Sequence, residues 1–315
     1  MNAARVFAAP LFVTLLVFMA ACSGGAADSA EPITADRPLR IVATIRPLEL
    51  IARDLVADTP FADRVVVSAL MSPDVSPHGF EPTPAQVATL RRADVIVYNG
   101  FGLDDWAARD KPKNARIVCF ADAAGVDEHD HHHHDHGDHH NCDHGPVDEH
   151  FWLDPTLTAA MATALAVEIS RALGGGDEIT NAMQASLQRF LNEVSSVNSA
   201  FMLTLANYQN RRIITHHNVF SRIAEKYGLA DPVVLRPLAV VEPTPGDLRA
   251  AIETVRAEGI QAIMIEPQFS ADAARQIASE TGVRLVEVDP LGSRSASWSD
   301  LMHSILKAIT ECFRQ

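Results

Sequence analysis

The chain is 315 residues long, 47% of its residues are hydrophobic, and 40 acidic side chains against 26 basic ones give it a net charge of −14. A chain of this length and apolar content can form about two domains with ordinary cores. The acidic balance disfavours a nucleic-acid partner and is compatible with the capture of a small cation.

The N-terminal part of the sequence predicts export and attachment to a membrane. Within residues 1–21 the only charged side chain is Arg5, and the apolar run over residues 12–21 is short for a membrane span. The small residues before Cys22 resemble the lipobox of bacterial lipoproteins, in which the cysteine is acylated. We therefore expect a signal peptide over residues 1–21, an acylated Cys22 and a polar tether over residues 22–38. The mature protein is then secreted across the inner membrane and held as a lipoprotein in the periplasm or at the cell surface. A plain cleaved signal with a cysteine nearby is the alternative.

Beyond the tether, short apolar strands alternate with helical patterns, which predicts an α/β fold with parallel sheets. The eight predicted strands, four in each half, cover residues 39–45, 64–70, 94–98, 116–120, 212–215, 233–238, 262–265 and 284–288. The tetrapeptide EPTP occurs at residues 81–84 and again at residues 242–245. In both copies the threonine is expected to cap a helix that begins at the second proline. This repeat indicates two pseudo-symmetric (β/α)4 lobes, over residues 39–173 and 210–315.

The histidine-rich segment over residues 126–147 lies near the end of the first lobe. It holds nine histidines in a run that aspartates interrupt; they are His129, His131, His132, His133, His134, His136, His139, His140 and His144. Such a polar run cannot form a core, and we expect a solvated loop. Neutral imidazole binds zinc, copper, nickel and iron, so the loop is predicted to offer weak auxiliary metal sites, with a charged spacer as the alternative. Cys142 in this loop either pairs with Cys119 or acts as a soft ligand, and the sequence leaves both open.

The longest helical pattern lies between the two lobes. Its nine apolar residues recur at steps of three or four; they are Ile179, Met183, Leu187, Phe190, Val194, Val197, Phe201, Leu205 and Tyr208. Glycines at residues 174–176 are expected to end the shorter helix before it. About thirty residues in a helix give a rod of about 45 Å, long enough to run along both lobes. We predict a single linking helix within residues 174–209, with a coiled coil as the alternative.

Four potential metal ligands lie where predicted strands or loops meet helices, which is where open α/β sheets bind their ligands. They are His78, His150, His217 and Asp289. Each alone has an ordinary explanation as an exposed loop residue or a turn residue. Together they supply three imidazoles and one carboxylate, two from each lobe, which matches a four-coordinate zinc site. The nitrogen-rich set favours zinc over manganese, which prefers oxygen ligands.

Five segments follow one another in a specific order. They are SPHGFEPTP at 76–84, HFWLDP at 150–155, HNVFSRIAEKYGL at 217–229, EPQFS at 266–270 and DPLG at 289–292. In this order they resemble the metal-specific substrate-binding proteins of bacterial ABC transporters, and among these the zinc-uptake members. The resemblance covers the chain from about residue 39 to its C-terminus. It implies two lobes joined by one long helix, with the metal between them.

The resemblance also implies a function and carries the ligands over to His78, His150, His217 and Asp289. A protein of this kind captures Zn2+ with high affinity in the cell envelope and delivers it to the permease and ATPase of an ABC transporter. A manganese- or iron-specific member of the same family is the alternative. Pro77 stands where zinc members often have an acidic residue, so the fourth ligand is either Asp289 or water.

The environment of the ligands raises two further points. His216 competes with His217, although the residues that follow place His217 in the frame of the family pattern. Each bound imidazole is expected to have its second nitrogen held by a carbonyl or carboxylate group. The candidate carboxylates are Glu81, Glu149 and Glu266.

Two functions of other classes compete with transport. A zinc hydrolase needs an open coordination position and a nearby general base. The sequence has neither HExxH nor a nucleophile motif, so we do not expect an enzyme. A periplasmic zinc buffer or chaperone that serves no transporter is the second alternative.

Overall fold

A computed structural model of the protein describes residues 33–34, 36–109, 111–126, 148–236 and 243–314. The expected signal peptide, Cys22, the nine loop histidines and Cys142 lie outside the described residues. Among the residues that are described, no helix is long and apolar enough to cross a membrane.

The first half of the chain forms a four-stranded sheet. Its strands are β1 (Leu39–Ala43), β2 (Val65–Ala69), β3 (Val95–Tyr98) and β4 (Arg116–Cys119). The strands are all parallel and lie in the order β2-β1-β3-β4. The helices of this half are α1 (Arg46–Val56), α2 (Pro84–Leu90), α3 (Trp106–Arg109), α4 (Phe120–Ala124) and α5 (Pro155–Ala172). The sheet confirms the predicted parallel α/β architecture.

A single long helix, α6 (Asp177–Leu205), leads from the first half to the second and continues as a short 3-10 turn at Ala206–Tyr208. The glycines at residues 174–176 all have positive φ, between 67° and 97°, a region that glycine enters without strain. They make the sharp turn that separates α5 from α6. One face of α6 is buried, including Phe190, Val197 and Phe201. The predicted linking helix is therefore confirmed, and it packs against its neighbours instead of forming a coiled coil.

The second half repeats the topology of the first. Its strands are β5 (Ile214–His217), β6 (Val233–Arg236), β7 (Ala262–Ile265) and β8 (Arg284–Glu287). They are parallel and lie in the order β6-β5-β7-β8. The helices are α7 (Ser221–Tyr227), α8 (Pro245–Glu258), α9 (Asp272–Thr281) and α10 (Trp298–Phe313).

The two EPTP repeats cap their helices as predicted. Thr83 accepts a hydrogen bond from the backbone N–H of Gln86, whose side chain accepts one from the backbone of Thr83. Thr244 and Asp247 form the same reciprocal pair at the start of α8. Each cap stabilises its helix by about 1 kcal/mol, and the repeat gives the two halves the same local architecture.

The position of β5 corrects one prediction. The sequence placed this strand at residues 212–215, whereas the observed strand begins two residues later and ends at His217. Pairing with β6 extends it, since His217 lies opposite Arg236. His216 and His217 are consequently buried strand residues and not residues of the following loop.

The main hydrophobic core runs through both halves. One cluster of buried side chains contains Val97 of β3, Phe201 of α6, Met264 of β7 and Trp298 of α10. Two smaller clusters each belong to one half: Val42, Leu90 and Ile96 lie in one of them, and Ile252, Ile263 and Ile277 in the other. The two predicted lobes thus share a core across their common face.

Candidate metal centre

The three histidines predicted as ligands, His78, His150 and His217, lie together. The Nε2 atom of His150 is 3.3 Å from Nε2 of His78 and 3.0 Å from Nε2 of His217. His78 belongs to the loop after β2, His150 to the segment that precedes α5, and His217 is the last residue of β5. Elements of both halves therefore contribute to one group of imidazoles.

A carboxylate holds the other ring nitrogen of each histidine. The pairs are His78 Nδ1 with Glu149 Oε1 at 2.7 Å, His150 Nδ1 with Asp148 Oδ1 at 2.8 Å, and His217 Nδ1 with Glu266 Oε1 at 2.7 Å. A carboxylate accepts a hydrogen bond, so each Nδ1 carries the proton and each Nε2 presents its lone pair. All three rings thus have the tautomer that binds a metal through Nε2.

The spacing of the Nε2 atoms fits a tetrahedral ion. Zinc binds imidazole nitrogen at about 2.0–2.1 Å, and two ligands of a tetrahedral ion at this distance are about 3.3–3.4 Å apart. The observed separations of 3.0 and 3.3 Å are close to this value. In this tautomer the three Nε2 lone pairs converge and repel one another. A bound cation removes this repulsion.

The environment of His150 favours its neutral form and leaves little free space between the three rings. Burial lowers the pKa of His150, and the nearby imidazoles of His217 and His78 lower it further against the opposing effect of Asp148. The cavity between the rings has a volume of about 10 Å³ and is also lined by Trp152 and other apolar side chains. This space suits one small ion and excludes an organic substrate.

Two tryptophans fix the segment that carries His150. Phe151, Trp152 and Leu153 form a buried 3-10 turn directly after the histidine. The indole N–H of Trp152 donates to the carbonyl oxygen of Pro290 at 2.9 Å, and the indole N–H of Trp298 donates to the carbonyl oxygen of Trp152 at 2.9 Å. Both bonds join the first half to the second, so His150 is held against the second sheet.

Asp289 is not in the group of three histidines. Its carboxylate accepts hydrogen bonds from the backbone N–H groups of Leu291, Gly292 and Ser293, at 3.0, 3.1 and 2.6 Å. It also accepts from the side chains of Ser293, at 2.5 Å, and Gln268, at 3.0 Å. The structure therefore gives this carboxylate a role within its own turn.

The other residues that the sequence suggested for the site differ in their positions. Glu149 and Glu266 hold histidines as the sequence suggested, whereas Glu81 is exposed. His216 stacks on the ring of Phe269, with centroids 4.9 Å apart, and is not part of the group. Sequence reasoning missed Asp148. Its position two residues before a histidine that enters the packed body was the available signal.

Comparisons with known proteins identify the family of the chain. The family model described as zinc-uptake complex component A, periplasmic, matches residues 41–312. The chain is 25% identical over 298 residues to the high-affinity zinc uptake system protein ZnuA of Bacillus subtilis, covering 92% of this chain and 90% of that protein. It is 27% identical over 281 residues to the ZnuA protein of Yersinia pestis, covering 80% and 83%.

Other relatives are longer, and solved structures share the fold. The zinc-binding protein AdcA of Streptococcus pyogenes is 25% identical over 277 residues, which cover 83% of this chain and 52% of AdcA. The chain therefore spans about half the length of AdcA. A crystal structure of ZnuA superposes with a TM-score of 0.72 at 24% identity, covering 88% of this chain and all of that one. The periplasmic zinc-binding protein TroA of Treponema pallidum gives 0.73 at 16% identity, with the same coverage.

Proposed function

Since this chain belongs to the family of periplasmic component A proteins of the zinc-uptake complex, we propose that it captures one Zn2+ ion between its two sheets and delivers it to an ABC transporter. The partners are then the transporter's permease and ATPase, and zinc is the transported substrate. The observation that carries the proposal is the convergence of three imidazole Nε2 atoms, each with a carboxylate on its Nδ1.

The donor set supports zinc in particular. Imidazole nitrogen suits zinc, whereas manganese favours carboxylate, carbonyl and water oxygens. The three carboxylates near the rings bind ring nitrogens and are directed away from the shared centre. An ion at this centre meets nitrogen on three sides, which disfavours the manganese-specific alternative.

The same features disfavour catalysis. A zinc hydrolase needs a base that can reach zinc-bound water and room for its substrate. Asp148, Glu149 and Glu266 each hold a histidine, and the cavity of about 10 Å³ takes no organic molecule. Capture of the ion itself is the function that this geometry supports.

Water is our proposal for the fourth ligand. The sequence left Asp289 and water open, and Asp289 reaches the ion only by giving up the hydrogen bonds to its own turn. Delivery at a membrane relies on the expected acylation of Cys22. The nine loop histidines are proposed as weaker sites that supply the central one.

Metal analysis and titration test the central site. The purified protein should contain zinc, with one tight equivalent in competition against a chelator. His78→Ala, His150→Ala and His217→Ala should each weaken that equivalent at least about 100-fold, because each removes a direct ligand. His303→Ala is the matched control, since His303 is an exposed residue of α10. Wild-type affinity in two of the three ligand variants would refute the assignment.

Growth distinguishes uptake from storage. A strain that lacks the protein should stop growing at a lower chelator concentration, and added zinc should restore growth. Expression of the permease and ATPase without this protein should not rescue it. Normal zinc uptake by the deletion strain would instead favour a buffer or chaperone.

A further inference from the structure

Helix α7 connects two of the three proposed ligands. It begins at Ser221, four residues after His217 at the end of β5. Two basic residues of α7, Arg222 and Lys226, bind the segment that carries His150. They are four residues apart and so lie on one face of the helix. A single short helix of the second half thereby reaches both His217 and His150.

Arg222 donates three hydrogen bonds to Asp148. Its Nε and Nη2 atoms both donate to the carbonyl oxygen of Asp148, at 2.9 and 2.8 Å, and its backbone N–H donates to Asp148 Oδ2 at 3.2 Å. The guanidinium also lies 4.8 Å from the ring centre of Phe151. The other carboxylate oxygen, Oδ1, accepts from the backbone N–H of His150 at 3.0 Å and pairs with its Nδ1 at 2.8 Å. Asp148 is thus fixed on one side by Arg222 and orients His150 on the other.

Lys226 holds the far end of the same segment. Its ammonium group contacts the carboxylate of Asp154 and donates to Thr156 Oγ1 at 2.6 Å. Asp154 is the N-cap of α5 and accepts from the backbone N–H of Thr156 at 2.7 Å. The segment from Asp148 to Asp154 is therefore bound at both ends by α7, with His150 between the two contacts.

We propose that Arg222 is a positioning residue of the zinc site, which fixes the orientation of His150 relative to His217 and thereby slows the release of zinc. This inference rests on the proposed function, because it takes His150 and His217 as ligands. Partners that orient a metal-bound histidine contribute about 10- to 100-fold to metal affinity. Arg222 acts one contact further out, through Asp148, so we expect an effect near the lower end of that range.

The guanidinium group is required for this role. Two parallel donors on one carbonyl, together with stacking on Phe151, use the planar fork of arginine, and a lysine ammonium cannot reproduce both contacts. Arg222→Lys keeps the charge and the backbone hydrogen bond and loses the fork. It should therefore release zinc faster than the wild type, and Arg222→Gln faster still.

Zinc release tests the proposal. The zinc-loaded protein is mixed with excess chelator, and the rate of release is compared among the wild type, Arg222→Gln, Arg222→Lys and Arg212→Gln. Arg212 is the matched control, because it also donates to a backbone carbonyl and a carboxylate, those of Asp231 and Glu258 in the second half. Release should be about 10-fold faster in Arg222→Gln and unchanged in Arg212→Gln. The visible spectrum of the cobalt-loaded protein should change in the Arg222 variants alone, since it reports ligand geometry.

A double-mutant cycle separates positioning from a general loss of stability. Arg222→Gln should lower zinc affinity in the wild-type and His78→Ala backgrounds but by less than about 2-fold in His150→Ala, because the ring it orients is gone. An equal loss of zinc affinity in the wild-type and His150→Ala backgrounds overturns the role of Arg222. So does a rate of zinc release from Arg222→Gln that equals the rate from Arg212→Gln. If Arg222→Gln does not fold, Arg222→Lys carries the same comparison. If His150→Ala alone binds zinc as tightly as the wild type, His150 is not a ligand and the role of Arg222 fails with it. If a second ligand variant does so too, the proposed function is what fails.

Discussion

Glu266→Gln should affect zinc binding and apo stability in opposite directions. The side chain of Glu266 is only 1% exposed, and its Oε1 accepts the Nδ1 hydrogen of His217 at 2.7 Å. Its second oxygen, Oε2, is buried with no hydrogen-bond partner among the described residues. A buried carboxylate with one unsatisfied oxygen is costly without a cation nearby. Zinc on the far side of His217 supplies that positive charge.

The magnitudes follow from these contacts. Glutamine has the same shape and can still accept from His217, so the packing is kept while the negative charge is lost. Loss of the charged partner should weaken zinc binding about 10- to 100-fold, or about 1.4–2.7 kcal/mol. Removal of the buried charge relieves the metal-free protein of a desolvation cost of several kcal/mol. Against this gain stand about 1 kcal/mol for the weaker hydrogen bond and about 1–2 kcal/mol for the amide N–H groups left buried at the position of Oε2. The metal-free protein should therefore be stabilised by about 1–2 kcal/mol.

Two measurements on one variant check this prediction. Chelator competition gives the affinity, and thermal unfolding of the metal-free protein gives the stability, with an expected rise in Tm of about 2–4 °C per kcal/mol. Glu287→Gln is the control. Glu287 is the last residue of β8 and Glu266 directly follows β7, but the side chain of Glu287 is 54% exposed. A metal-free Glu266→Gln protein that is less stable than the wild type, with unchanged zinc affinity, would refute the reasoning.

Four further predictions address other parts of the chain. Asp289→Asn should change zinc affinity by less than about 3-fold if water is the fourth ligand, and a 100-fold loss in titration would restore Asp289 as a ligand. Burial raises the pKa of Asp54 from 3.8 to about 6, so its contribution to stability is present below about pH 4 and is lost as the pH rises through 6, by up to about 3 kcal/mol. Urea unfolding at pH 4.5 and 7 should show a smaller decline in Asp54→Asn. Deletion of residues 127–147 should lower the number of bound zinc ions in metal analysis and keep the tightest affinity, because a loop site must first order its backbone at about 1–2 kcal/mol per residue. Cys22→Ser should leave the mature protein without lipid, which mass and membrane retention report.

Local sequence patterns predicted the helices and strands, because each pattern depends on residues that are close together in the chain. The EPTP repeats predicted the two capped helices that begin at Pro84 and Pro245. The spacing of apolar residues predicted α6. His150 was singled out because three apolar residues follow it, and these are buried as expected. Such signals are short-range, and tertiary packing did not overrule them.

Long-range contacts explain what the sequence did not reveal. Asp148 looked like one more acidic residue of the polar segment until its contacts with His150 and Arg222 were seen. Asp289 is followed by a proline, and this sequence is compatible with either a turn residue or a metal ligand. Only the contacts of its carboxylate oxygens in the folded protein distinguish the two roles. The strand ending at His217 was placed two residues early because its length depends on pairing with β6, to which local propensity is blind.

The shared core has a consequence for how the protein folds. Because α10 contributes Trp298, Leu301 and Ile305 to the same cluster as the first sheet, neither half can bury its inner face alone. Unfolding should therefore be one cooperative transition, and the predicted lobe boundary is no place to cut the chain into independent fragments. A fragment that ends before α10 contains His78, His150 and His217, but it lacks the packing that brings their rings together. Such a fragment should bind zinc no better than an unfolded chain with the same histidines.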